Sequence, residues 1–148
     1  MTPGYLLDLF TINQVRREEI GAEIEGDVKF DLLKQDGHLL KELGKMLVEI
    51  ADGHRPGFFA KHKQYDKGVG EMHNDNLIEV MYNLYLKHKK LWYLEDLRRD
   101  KSNTNETRLD ACDQVSINNK QRNDLVENID MIITNRLKQT KIWSTIPE

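Results

Sequence analysis

Cysteine is almost missing from this chain. Cys112 is the only one among 148 residues, so an internal disulfide framework and a zinc site built on several cysteines are both excluded. A reducing compartment, the cytoplasm, is the expected location. There is no apolar run long enough to cross a bilayer, and the amino terminus lacks the basic-then-apolar layout of a signal peptide, so a soluble, unprocessed protein is expected. Excess charge of either sign is lacking too: 22 basic against 25 acidic side chains leave −3. No global field therefore draws nucleic acid or an anionic membrane, and neither is an expected partner. Any electrostatic ligand must be recognised locally. Strand signals, repeats and low-complexity tracts are absent as well.

What is present suits one helical domain over residues 1–148, with 39% hydrophobic content to build its core. Thr2-Pro3 is a good helix opening, a capping hydroxyl before a ring already set to helical φ. Leu6, Leu9, Phe10, Asn13, Ile20 and Ile24 then share a face, which predicts a first helix to about Glu25. Val28, Leu32, Leu39, Leu40, Leu43, Met46, Leu47 and Ile50 predict a second, which Asp36-Gly37 would split. Between about 53 and 74, a stretch that opens with "GHRPGFFAKHKQYDKGVG", glycine, proline and mixed charge replace periodicity and predict a long ordered loop. Asn76 with Glu79, and Asn103 with Glu106, are spaced as capping boxes for a third helix to about Arg99 and a fourth to about Leu137. The expected fold is all-α, an antiparallel bundle of four main helices with one long loop. Trp143 and Ile146 are expected to dock on it, and assembly into a homo-oligomer is compatible with it.

The inward faces carry ionisable groups. Stepping 100° per residue gathers Ala111, Val115, Leu125, Val126, Ile129 and Ile133 on one side of the fourth helix, with Arg122 at its centre and Asn118 and Asn119 beside it. Asp124, Glu127 and Asn128 are expected to face water, with Asn123 and Asp130 on the border. On the third helix His88 and Glu95 interrupt the stripe of Leu77, Met81, Leu84, Tyr85, Leu91 and Trp92, and Asp96 lies at its edge. An interior guanidinium without a counter-charge costs several kcal/mol, so Arg122 calls for an acid or a bound anion. A hairpin turning near Asn103 sets Arg122 level with Tyr85 and Glu95 level with Cys112, an offset of roughly 15 Å that a direct ion pair does not span. Asp36 is the preferred acid for Arg122, and Glu95 and Asp96 are expected to meet Arg16, Arg17 or a loop cation.

The segments "LWYLED" and "QRNDLVENID" resemble the bacterial family called domain of unknown function 4254. The resemblance rests on Leu91, Trp92, Glu95 and Asp96, and on Asn119, Arg122, Asn123, Asp124, Leu125, Val126, Glu127, Ile129 and Asp130. It covers the carboxyl-terminal half and implies a small helical protein, with no activity attached.

The candidate ligand-binding set is therefore Trp92, Glu95, Asp96, Asn119, Arg122 and Asn123. Its sharper interpretation is a pocket in which arginine and asparagines grip an anionic or nucleotide-like small molecule, while the carboxylates hold a divalent metal or act as a base. Its plainer interpretation is a structural network fixing helix register, in a non-catalytic protein-interaction module. A third alternative is a metal-dependent nucleotide pyrophosphohydrolase-like enzyme. Glu49-x-x-Asp52 supplies half of such a signature, but Glu19 and Glu23 are wrongly spaced for it, and Lys45 stands where an aspartate is wanted. His88 alone suits a satisfied core histidine. His54, His62 and His73 lack metal-type spacing, and Gly68-x-Gly70 is not a phosphate-cradling motif. Arg55, Lys61, Lys63 and Lys67 could close over an anion or simply be solvated.

Overall fold

The computed structural model of the chain describes residues 1–20, 26–52 and 75–144. They form α1 (Pro3–Ile20), α2 (Gly26–Ala51), α3 (Leu77–Arg99) and α4 (Asn105–Ser144), with no strand among the described residues. The fold is all-α. The expected loop at 53–74, and the expected docking of Trp143 and Ile146, lie outside what is described.

The helix ends follow from local chemistry. At α1 the Tyr5 N–H donates to Thr2 Oγ1 at 3.2 Å, the cap expected of Thr2-Pro3. At α3 the Glu79 N–H donates to the Asn76 side chain at 3.2 Å. The third helix stops at Arg99, where Asp100 turns out of helical conformation and accepts from both the Ser102 N–H (2.9 Å) and the Ser102 hydroxyl (2.6 Å). Asn103 does not cap α4 as expected. Its amide donates back to the Leu97 carbonyl at 3.2 Å, and Thr104 takes the capping role, accepting from the Thr107 N–H at 3.2 Å. α4 also runs past Leu137 to Ser144.

Asp36-Gly37 does not split α2, which is continuous from Gly26 to Ala51. The Asp36 side chain reaches sideways to α1 instead of capping a new helix, and Gly37 sits in open space, where a helical glycine costs only about 0.5–1 kcal/mol.

Leu7, Val80, Leu84, Ile129, Ile132 and Ile133 form the core where α1, α3 and α4 meet. Leu84 is completely buried, a gain of about 1.5–3 kcal/mol over exposure. Lys87 Nζ donates to Asn118 (3.1 Å) and Gln121 (2.6 Å), while Arg108 Nε donates to the Arg98 carbonyl at 3.0 Å. Partner numbers rise along α4 as they fall along α3, so these two helices run in opposite directions, in the register expected of a turn near Asn103. Because α1, α2 and α3 all pack on α4, its buried arc is wider than a one-sided stripe. Asn128, expected in water, is buried, and Asp124 and Glu127 are half-buried.

Candidate functional site

On α3, His88, Trp92, Glu95 and Arg99 follow one another at helical spacing and share a face. Val115, Asn119 and Arg122 do the same on α4, and Ile12 and Arg16 on α1. These residues, with Leu91 and Asp96, line one open cavity of about 450 Å³. Of the six candidate residues, Trp92, Glu95, Asp96, Asn119 and Arg122 come together in it. Asn123 does not: it lines a different cavity, of about 570 Å³, with Thr2, Tyr5, Val126 and Asp130.

Three arginines and two carboxylates face the cavity, and their pairing is uneven. Glu95 Oε2 accepts from Arg98 Nε (3.1 Å) and Nη2 (2.6 Å) and lies 3.5 Å from Arg99 Nε, so its charge is balanced within its own helix. Arg98 is correspondingly held more firmly protonated by its hydrogen bond to Glu95. Neither carboxylate pairs with Arg16 or Arg17, contrary to the expectation from spacing.

Arg122 is half-buried. Its Nε is shielded from water and has no hydrogen-bond partner, and its side chain's one hydrogen bond among the described residues is a long 3.4 Å one from Nη2 to the neighbouring Asn123 Oδ1. Asp36 is not its partner. That carboxylate belongs to a different junction, where Arg17 Nη1 approaches to 2.5 Å and Asn13 Nδ2 to 3.1 Å, and no α2 residue lines the cavity. Among the described residues, no carboxylate lies within ion-pairing distance of Arg122 or of the exposed Arg16.

One wall is locked. His88 Nε2 lies 2.6 Å from Asp8 Oδ1 of α1, and both side chains are buried. This is the satisfied core histidine its position on the apolar stripe suggested. Asp130, expected on the border of α4, is also buried, where Oδ1 accepts the Gly4 N–H at 2.7 Å. The two helices meet there so closely that a Cβ on Gly4 would stand 2.4 Å from the Val126 carbonyl.

No group of three or more His, Cys, Asp or Glu side chains converges in a metal-holding arrangement among the described residues. Asp52 and Glu19 are exposed. Glu23, the three loop histidines, Arg55, Lys61, Lys63 and Lys67 lie outside the described residues. No described helix is long and apolar enough to cross a membrane.

Sequence spacing alone missed the contribution of α1. Arg16 appeared there only as one of several cations for Glu95 and Asp96, because which side of α1 faces α3 and α4 depends on packing. Arg99 was legible, one turn beyond Glu95, but was not singled out.

Fold and site together define a small all-α protein with a cationic cavity between three of its helices. Residues 78–146, the segment that carries both motif helices, match the family described as "Protein of unknown function (DUF4254)". No curated protein and no solved structure matches the chain.

Proposed function

We propose that the cavity between α1, α3 and α4 binds a small anionic or nucleotide-like molecule. Arg122 and Arg16 supply the charge, Asn119 a hydrogen bond, and Trp92 an aromatic wall. Asn123 steadies the Arg122 guanidinium from outside the cavity. Asp96, exposed at the rim, is the carboxylate left to accept a ligand hydroxyl or to meet a cation that accompanies a phosphate. A cytoplasmic setting belongs to this reading, in keeping with an exposed free thiol at Cys112.

The observation that carries the reading is the buried, unpartnered Nε of Arg122. A desolvated donor left unmade costs about 1–3 kcal/mol, more when charged, and an anion at that point removes the cost. The test is a thermal-shift series with inorganic phosphate, pyrophosphate, nucleotides and sugar nucleotides on the full chain. At saturating ligand the wild type gains several degrees and Arg122→Gln gains none. No shift with any of these anions contradicts the reading.

A second reading has its own support. Ile78, Tyr82, Leu86 and Tyr93, all exposed, repeat along the outer face of α3 and suit a protein-interaction surface. The two readings concern different faces of the same helix and are compatible.

A further inference from the structure

The cationic cavity has a neighbour across Arg16. Ile12 and Arg16 also line a second hollow, of about 420 Å³, whose other walls include Leu9 of α1 and His38 and Leu39 of α2. Leu9, Ile12 and Arg16 share an edge of α1 because they are three, four and seven residues apart. Two cavities with two lining residues in common adjoin along the Ile12–Arg16 edge.

The two hollows differ in chemistry. At the first stand Arg122 and Arg99 with Asn119 and Trp92. At the second, Leu9, Ile12 and Leu39 are half-buried, unlike Leu6, Val15 and Leu32 of the same helices, and so offer hydrocarbon to a visitor. Of the polar groups there, the Asn13 amide is engaged, donating to Gln35 Oε1 at 3.4 Å and Asp36 Oδ1 at 3.1 Å, while Lys34 and His38 are exposed lining residues. No acidic residue is among the second hollow's lining residues, so nothing in its wall repels the negative charge held next door. Arg16, exposed and without a carboxylate partner among the described residues, stands at the junction.

We propose that the ligand is a soluble amphiphilic anion. Its phosphate- or carboxylate-type head sits at Arg122 and Arg16, and a short hydrocarbon or apolar ring portion crosses Ile12 into the hollow walled by Leu9 and Leu39. This inference rests on the anion-binding reading of the first cavity and names the class of molecule it takes.

Calorimetric titration of the full chain with inorganic phosphate, methyl, butyl and octyl phosphate, each below its micellar concentration, is the test. Affinity rises along the series by up to about fourfold for each methylene buried, from the transfer free energy of a CH₂. Leu39→Asn flattens the rise while leaving methyl phosphate binding unchanged. Leu9→Ala, a milder change, reduces the slope if Leu39→Asn fails to fold. Equal affinity for methyl and octyl phosphate in the wild type, or an undiminished slope in both variants, overturns the inference and leaves the anion cavity standing. No binding of any phosphate removes both together. Co-sedimentation with phosphatidic acid vesicles, without saturable binding of butyl phosphate, replaces the soluble ligand with a lipid surface and overturns it as well.

Discussion

Glu95 and Arg122 line one cavity and do not pair. The hairpin register holds them about ten residues apart in level, and the intrahelical arginines Arg98 and Arg99 satisfy the carboxylate. Arg122 lines the cavity, and its Nε is shielded from water and unpartnered. A structural ion pair would have closed this space. What exists instead is a gap with an arginine on each of its three helices.

The first prediction concerns stability without ligand. Arg122 breaks no ion pair when it is replaced, so Arg122→Met is expected to leave the unfolding free energy within about 0.5 kcal/mol of wild type, or to raise it, because an unsatisfied donor disappears. Urea denaturation measures this. A loss of about 3–5 kcal/mol, the usual result of removing one member of a buried pair, would show that Arg122 is a structural residue.

Asp8 and His88 are expected to behave in the opposite way. His88→Leu leaves a buried carboxylate without its partner and costs about 3–5 kcal/mol. The double variant Asp8→Leu, His88→Leu recovers a large part of that loss, since neither polar group then remains. A double-mutant cycle reads the coupling, and strict additivity would contradict it.

Gly4→Ala drives a methyl into the Val126 carbonyl, a backbone atom that cannot rotate aside. The expected cost is about 1–3 kcal/mol or more, visible as a lower thermal midpoint. Unchanged stability would mean that α1 and α4 do not approach as described.

Acid has a predictable local effect at the turn between α3 and α4. Hydrogen bonds from the Ser102 hydroxyl and N–H hold the Asp100 carboxyl below its ordinary value of 3.8. A carboxylate depressed on folding contributes stability that is present above its unfolded pKa and lost as pH falls through the folded value. Asp100 is exposed, so the contribution is small. NMR titration of the Asp100 carboxyl carbon should give a midpoint below 3.8 in the wild type and a higher one in Ser102→Ala. Equal midpoints would refute the assignment.

Much of this arrangement was legible from residue spacing. The periodic stripes of α3 and α4 placed His88 inside, the Asn76 cap declared itself, and the hairpin register rightly kept Glu95 from pairing with Arg122. Five of the six candidate residues share one cavity for the same reason: they repeat at three and four on adjoining helices. The partner of Asp36 was not legible, because nothing in a single sequence says which helix α2 meets at that level. Arg17 of α1 reaches it first. Asn123 was placed by its neighbour Arg122, yet one residue is 100° of helix, enough to turn it toward another surface. Asn128 was misjudged because a one-sided stripe underestimates a helix packed on by three others.

Whether an anion completes the Arg122 guanidinium is best decided by following its Nε–H resonance by ¹⁵N–¹H NMR while phosphate is added to the full chain, with Arg122→Gln to assign it. A donor awaiting an anion moves saturably downfield, and its exchange with water slows as phosphate binds. A resonance that stays where it is up to high phosphate, in a protein whose other signals show it folded, would contradict an anion site at Arg122.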